Sequence, residues 1–423
     1  MKKFLAIFKH PDLRRKIFSV LGLLVVYRMF AAIPIPGVDV TKLQQFFDSN
    51  QIFGLLNVFS GGGLSNLSIV MLAVGPYITG SIIMQLLTII FPNLKKAYYE
   101  EGASGRAKFN RITRYLTVPL AVLQGYGFLN LLMAQGVISR LPLFDLISNV
   151  IIITAGSVLV MWIGELISEF KIGNGLSLLI FAGIVSSLPQ DIISAFLNYS
   201  PALLTTYIVF AVLAIIVIAG VVFVNEGERK VPVSYAKQVR GMKLYGGAST
   251  YLPLKVNQAG VIPIIFAISI LLFPQFIAQS LSIVSPGLSL SLNSWVTEFF
   301  NNHYIYSSLY FILVVMFTYF YTAVTFDPSE ISKNLQKNGG FIPGIRPGQA
   351  TTDIITKTVH RITLFGALFL GVVAILPNIT QIITGIQSLQ IGGTALLIVV
   401  AVALESMKQI DSQLSLREYD NNF

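Results

Sequence analysis

The apolar residues of this chain lie in long runs, and short clusters of charged residues, Pro and Gly separate those runs. An α-helix of about 20 apolar residues can cross a bilayer, whereas the strands of a membrane barrel alternate apolar and polar positions over about 10 residues. The pattern therefore predicts an all-α integral membrane protein with ten transmembrane helices. These spans are expected at about 17–33, 70–91, 115–133, 148–168, 174–188, 202–224, 259–277, 304–325, 362–377 and 392–408.

The composition agrees with this class of protein. Only 11% of the residues are charged and 54% are hydrophobic, whereas soluble domains carry about 25% charged residues. The chain contains no Cys, which excludes disulfides and thiolate chemistry.

The positions of Lys and Arg predict how the chain is oriented in the membrane. With ten spans, all but three of the 29 Lys and Arg residues fall on one side, the exceptions being Arg28, Lys42 and Arg140. In membrane proteins the excess of basic residues lies in cytoplasmic loops. Both termini are therefore expected in the cytoplasm.

Ten spans also divide into two groups of five, one in residues 1–200 and one in residues 201–423. Because five is an odd number, a second half with the same helix pattern runs inverted relative to the first. Inverted halves place the working site near the membrane midplane, at the interface between them.

One uncharged stretch, residues 49–94, is too irregular to be a single helix. Its first part holds Gly61, Gly62 and Gly63 followed by polar side chains, and its second part is the predicted span 70–91. Unsatisfied backbone groups are costly in hydrocarbon. We therefore expect the glycine-rich part to fill a water-filled or protein-lined cavity at membrane depth.

Two long loops are candidate docking surfaces. Residues 225–258 and 326–361 carry several Lys and Arg, and their Pro and Gly residues indicate shaped loops. One interpretation is that the charges only fix orientation and contact anionic lipids. The other is that they form a docking surface for a cytoplasmic partner such as ribosomal RNA, whose phosphates bind Lys and Arg.

Ionisable groups that could perform catalysis are scarce in the predicted spans. His10, His303 and His360 lie outside them, and the protease-like motif Gly102-Ala103-Ser104-Gly105 falls in a basic loop. An intramembrane hydrolase is therefore disfavoured, and no nucleotide-binding loop occurs. A polytopic small-solute transporter is the main alternative, but it needs polar or charged groups around its substrate. Apolar spans favour instead a pore that seals by apolar contact and passes a polypeptide.

Several short segments, spread over nearly the whole chain, carry a family resemblance. They are Ile33-Pro34-Ile35-Pro36-Gly37, Phe59-Ser60-Gly61-Gly62, Pro76-Tyr77-Ile78, Gln85-Leu86-Leu87-Thr88, Ile172-Gly173-Asn174-Gly175, Ser249 to Asn257, Ala259-Gly260-Val261-Ile262-Pro263, Phe341 to Gly348 and Gly392-Gly393-Thr394. In this order they resemble the SecY family, the channel subunits of the Sec protein translocase. The resemblance implies an hourglass of ten helices in two inverted halves, set in the cytoplasmic membrane, with no cofactor or metal.

The resemblance also implies roles for individual residues. A ring of aliphatic side chains is expected to close the waist, and a plug with a short re-entrant helix is expected outside that ring. A lateral gate is expected between spans 70–91 and 259–277, with Gln85 and Asn174 as polar gate residues. The ring residues are expected to be Val74, Ile78, Ile180, Ile265 and Ile398. The plug residues are expected to be Gly61, Gly62, Gly63, Leu64, Ser65, Asn66, Leu67 and Ser68.

The two basic loops are then expected to receive the ribosome or the SecA motor, with Arg240, Lys243 and Arg346 as contact residues. Further partners implied are the SecE and SecG subunits, signal peptides, nascent chains and membrane lipids. The chain itself is expected to be a passive channel, not an enzyme, with energy supplied by the SecA ATPase or the ribosome. It is also expected to release transmembrane segments sideways into lipid. Met242 departs from the family pattern, which often has a basic residue there.

Overall fold

The computed structural model describes residues 10–36, 62–64, 66–99, 102–134, 136–197, 204–235, 238–240, 243–245, 249–281, 285–384 and 392–420. Most of these residues are α-helical. The helices up to residue 197 are α1 Pro11–Ala31, α2 Gly75–Ile90, α3 Pro92–Tyr99, α4 Gly102–Ala134, α5 Leu143–Glu169 and α6 Gly175–Leu197. Those that follow are α7 Leu204–Glu226, α8 Ile262–Ser280, α9 Pro286–Asn301, α10 His303–Thr325, α11 Pro328–Lys337, α12 Gln349–Thr384 and α13 Gly392–Asp420.

Each stretch predicted to span the membrane is occupied by one of these helices. By length and composition, five helical stretches within the described residues can cross a membrane. They are Ser104–Met133, Leu143–Glu169, Ile208–Glu226, His303–Lys337 and Gln349–Thr380. The helices at the other five predicted spans are shorter or less apolar, so the total of ten spans stays a prediction.

The helix ends differ from the predicted ones where proline and backbone geometry decide them. The span predicted from residue 70 begins as a helix only at Gly75, because Ala73 has a left-handed φ of 44° and Pro76 suits the first helical turn. Conversely, α12 runs through Pro377, where the predicted span ends, to Thr384. Prolines are tolerated inside membrane helices when neighbouring groups satisfy the freed backbone.

The prediction of an all-α fold misses two small antiparallel sheets in the two basic loops. The strands are β1 Glu228–Tyr235, β2 Gln238–Arg240, β3 Lys243–Tyr245, β4 Ser249–Lys255 and β5 Gly340–Phe341. The first sheet has the order β4-β1-β5, and β2 pairs with β3 in a hairpin. Because Ser234 pairs with Phe341, the sheet joins the loop 225–258 to the loop 326–361.

Two buried apolar clusters organise the helical body. The first, which we call the central cluster, draws side chains from helices of both halves of the chain, among them α2, α6, α8 and α13. The second, the outer cluster, combines the turns before α2 with the facing parts of α4 and α5. The predicted ring residues lie in the central cluster, and Leu64 and Leu67 of the predicted plug lie in the outer cluster.

Candidate functional site

The five predicted ring residues all lie in the central cluster. Val74 precedes α2, Ile78 lies in its first turn, and α6, α8 and α13 supply the other three. All five side chains are at most 9% exposed. The structure thus brings aliphatic side chains from both halves into one apolar contact; their arrangement as a ring stays a prediction.

Val261 is a neighbour that the sequence reasoning missed. It is 3% exposed in the central cluster and stands four residues before Ile265, as Val74 stands four residues before Ile78. The signal was present in the sequence: Val74-Gly75-Pro76-Tyr77-Ile78 and Val261-Ile262-Pro263-Ile264-Ile265 share the pattern Val-x-Pro-x-Ile.

The predicted plug is partly described. Gly61 and Ser65 lie outside the described residues. Gly62–Leu64 and residues 66–74 form consecutive turns. Within them Leu64 and Leu67 are buried in the outer cluster, at 2% and 0% exposure, whereas Asn66 is exposed.

The backbone of this plug segment is tied to the chain that leaves α1. The Ile35 amide donates to the Leu67 carbonyl at 2.8 Å, and the Ile69 amide donates to the Ile33 carbonyl at 3.0 Å. Pro34 lies between these two bonds, where its missing N–H is not needed. The sequence motif around residues 33–37 and the predicted plug therefore form one local structure, which sequence reasoning treated as two.

The helices predicted to form the lateral gate are in contact. Helix α8 packs against α2 and against α4. On α2, Gln85 is half-buried and its Nε2 donates to Ser81 Oγ at 3.2 Å, but its Oε1 is buried and finds no hydrogen-bond partner among the described residues. A further bond joins α4 to α2, where Gln124 Nε2 donates to Thr79 Oγ1 at 3.3 Å.

Asn174 has a different environment from Gln85. Its Oδ1 accepts from the backbone amides of Leu176 at 3.1 Å and Ser177 at 3.3 Å, so it caps the N-terminus of α6. It also lines a polar cavity of about 850 Å³ to which Gln85 does not contribute. The structure therefore does not bring the two predicted gate residues into one site.

The polar cavity is built from segments far apart in the sequence. Its lining includes Lys171, Lys255, Asn257 and Glu405. Lys408, at its edge, pairs with Glu226 at 2.8 Å. Because these residues come from both halves of the chain and share no motif, spacing alone could not have grouped them.

The predicted docking residues lie on the sheet-linked loops. Arg346 is exposed, and its carbonyl accepts from Thr351 Oγ1 at 3.1 Å, which fixes the turn before α12. Arg240 is paired with Lys243 in the backbone register of β2 and β3. The pairing of β1 with β5 fixes the Arg346 loop next to the strand that leads into the hairpin.

Known proteins resemble this chain over nearly its whole length. The SecY family model matches residues 68–407. The chain is 43% identical to the protein translocase subunit SecY of Mycobacterium bovis over 443 aligned positions, which cover 99% of both chains. It is 44% identical to that of Corynebacterium glutamicum, again over 99% of both chains.

Solved structures agree at the level of the fold. One described as a protein conducting channel matches with a TM-score of 0.66 at 19% identity, covering 93% of this chain and 91% of that one. Sec61 in the canine ribosome-channel complex from the endoplasmic reticulum matches with a TM-score of 0.58 at 18% identity, covering 93% and 91%. With a family model over most of its length and relatives above 40% identity from end to end, the chain belongs to the SecY family.

Proposed function

We propose that this chain is the channel subunit of a protein translocase and conducts unfolded polypeptides across the cytoplasmic membrane. The observation that carries the proposal is the end-to-end likeness to translocase subunits, and the burial of the five predicted ring residues in one apolar cluster supports it. The chain acts as a passive channel, and a SecA-type ATPase or the ribosome supplies the energy.

The path of the polypeptide follows from the order of polar and apolar surfaces. The polar cavity receives the chain, the ring residues close around it, and the plug segment lies beyond them. A constriction open to water exposes aliphatic side chains at a cost of about 1.5–3 kcal/mol each. The constriction therefore closes by apolar contact when no polypeptide is present.

Lateral release takes place between α2 and α8. A passing segment that reaches the opened boundary partitions by its transfer free energy, with Leu favourable and Arg costing about 2.5–3.5 kcal/mol at the midplane. Gln85 lies on one of these two helices. Its buried Oε1, which has no hydrogen-bond partner among the described residues, lowers the cost of separating them.

A repeated arrangement supports ten spans in two inverted halves, residues 1–200 and 201–423. Val-x-Pro-x-Ile opens α2 in the first half and α8 in the second, and in both halves the Val and Ile are buried in the central cluster. The basic loops lie on the cytoplasmic side with both termini.

The cytoplasmic partners are a SecA-type motor and the ribosome, and the membrane partners are SecE and SecG subunits. Arg346, Arg240 and Lys243 are the proposed contact residues, since β5 joins the loop of Arg346 to β1, the strand that precedes the β2–β3 pair. Sec61, a structural relative, was solved in a ribosome-channel complex. Signal peptides, nascent chains and membrane lipids contact the same channel.

A small-solute transporter is disfavoured by the buried residues themselves. Among the residues that the structure describes, the buried polar side chains are Ser, Thr, Asn and Gln, and none carries a charge. Coupled transporters generally use a buried ionisable group for the ion or the substrate.

Photo-cross-linking of a stalled secretory chain tests the proposal. A photo-reactive residue replaces Ile78 or Ile265 in the complete translocase, and Ile312, which is 51% exposed on α10, is the matched control. Strong adducts at the first two positions and none at Ile312 are expected. Equal yields at all three positions, or none at the two ring positions, would contradict a polypeptide path through the central cluster.

A further inference from the structure

Gly156 of α5 lies directly against the backbone of the plug segment. A Cβ built on Gly156 would overlap the carbonyl oxygen of Ile69, and would lie 2.8 Å from its carbonyl carbon and 3.3 Å from Val70 Cα. These neighbours are backbone atoms, which cannot rotate away as a side chain does. Any residue other than glycine at position 156 therefore has to displace the segment.

The backbone is strained on both sides of the contact between Gly156 and residues 69–70. Leu67 has a φ of 39° and Ala73 a φ of 44°, in the left-handed region that non-glycine residues rarely adopt. Such conformations persist only where surrounding contacts impose them. Here those contacts are the two backbone bonds to residues 33 and 35 and the packing on Gly156.

The Ser68 hydroxyl opposes docking. Ser68 is fully buried, and its Oγ has no hydrogen-bond partner among the described residues. A buried hydroxyl without a partner has lost its water and gained nothing in exchange. Undocking returns the Ser68 hydroxyl to solvent, so the close fit at Gly156 is what holds the segment in place.

We infer that Gly156 is the positioning residue for the plug: its bare backbone forms a seat that holds the Ser68–Val70 segment in the closed state, and a side chain there releases the plug. The inference rests on the proposed channel function. It assigns the closed state to a backbone contact on α5, in addition to the side-chain contacts that Val70 makes in the central cluster.

The test uses the absence of Cys from the chain. Ser68→Cys is nearly isosteric and places a single thiol at a position with no exposure. The complete translocase carrying Ser68→Cys is treated with a membrane-impermeant maleimide, with or without Gly156→Ala. We expect Gly156→Ala to raise the labelling rate by a factor of roughly ten or more, and to raise ion leak in bilayer recordings while protein export continues.

A matched control is Gly366→Ala. A Cβ at Gly366 of α12 would lie 2.7 Å from the Val256 carbonyl oxygen, so it meets backbone as Gly156 does, but away from the plug. This variant should leave labelling at Ser68→Cys unchanged. Labelling that rises equally in both variants, or in neither, overturns the seat.

A reversible tether keeps the test decisive if Gly156→Ala disturbs folding. Pro34 and Ser68 form an antiparallel bridge flanked by the two backbone bonds, and such pairs lie at distances that suit a disulfide. When Pro34→Cys and Ser68→Cys are combined with Gly156→Ala, the disulfide between the two cysteines holds the plug segment in place while the channel folds. Reduction should then start ion leak in the Gly156→Ala channel only, and equal leak with or without Gly156→Ala refutes the inference.

The two readouts separate the seat from the channel function on which it rests. Increased labelling with increased leak supports both. Increased labelling without leak supports the seat and removes the sealing role that the proposed function gives to the plug. Leak without increased labelling contradicts the seat and leaves the channel function standing.

Discussion

The carbonyl of Ile69 in the first half and that of Val256 in the second are each seated on a helix glycine. Ile69 packs on Gly156 of α5 and Val256 packs on Gly366 of α12. Each carbonyl lies six residues before the start of a helix, α2 in the first case and α8 in the second. The two halves therefore use the same device to position the helices that are proposed to form the lateral gate.

The backbone bonds of the two seats also correspond. The Ile69 amide donates to the Ile33 carbonyl just after α1, at 3.0 Å. The Val256 amide donates to the Gly227 carbonyl just after α7, at 2.8 Å. In each half the seated residue is thus held between a helix glycine and the exit of the half's first helix.

The two seats differ in backbone strain and in the hydrogen bonds that support them. Two residues before the helix, the first half has Ala73 at a φ of 44° and the second has Gly260 at a φ of 61°, which only glycine adopts without cost. The second seat is also reinforced, because Asn257 Nδ2 donates to Asn225 Oδ1 at 2.7 Å and to the Gly260 carbonyl at 3.1 Å. The strands β1 and β4 pair along their whole length immediately before it.

We infer from this difference that one arrangement serves two purposes. Strain at Ala73 and a Ser68 hydroxyl without a partner among the described residues make the first seat easy to leave, as the proposed plug role requires. A glycine at the strained position, two hydrogen bonds from Asn257 and a paired sheet make the second seat a fixed anchor for α8. This contrast between a labile seat and a fixed one can be tested.

The largest effect on stability is expected at the fixed seat. Gly366→Ala pushes against the Val256 carbonyl, which the sheet prevents from moving, so we expect a loss of about 3 kcal/mol, the upper range for overpacking. Gly156→Ala creates a closer overlap but is relieved by undocking, so its loss should be smaller. Unfolding titrations of both variants in mixed micelles measure the two losses, and an equal or reversed order would break the comparison.

How much of this could be read from the sequence depends on whether a feature is local. The helices followed from long apolar runs, and the family resemblance placed Val74, Ile78 and Ile265 in segments that prove to share one cluster. The strands β1 and β4 were missed because their pairing joins residues about twenty apart in the sequence. The basic residues of this loop had already been interpreted as a docking surface.

The seats were missed for a different reason. Gly156 lies within an apolar run where a small residue is ordinary, and nothing near it in sequence indicates that a carbonyl packs against it. Only the recurrence of Val-x-Pro-x-Ile before α2 and α8 could have suggested that the two entrances correspond. The positions of Gly156 and Gly366 in their own helices follow from tertiary packing, which no short pattern records.

An intermediate effect is expected from the polar side chains at the two seats. Asn257→Ala removes two hydrogen bonds and leaves Asn225 Oδ1 without this donor. It also removes Asn257 Oδ1, which is buried without a hydrogen-bond partner among the described residues, so we expect a net loss of about 1.5 kcal/mol. Ser68→Ala removes a buried hydroxyl that has no partner among the described residues, so it should be neutral or slightly stabilising. The same titration compares the two, and a clear loss for Ser68→Ala would show that its hydroxyl is satisfied and the first seat less labile than argued.

The smallest effect isolates the backbone strain. Gly260→Ala adds a Cβ that meets nothing within 4 Å, so its cost is conformational alone, about 1 kcal/mol for the left-handed region. Ala73→Gly should relieve a similar strain in the folded protein. The greater backbone freedom of glycine in the unfolded chain destabilises the folded protein and so offsets part of this gain. The labelling rate at Ser68→Cys separates the relief of strain from the entropy of the unfolded chain, because that entropy does not alter docking within the folded channel. Ala73→Gly should therefore slow labelling while Gly260→Ala leaves it unchanged, and faster labelling in Ala73→Gly would mean that strain at Ala73 does not loosen the first seat.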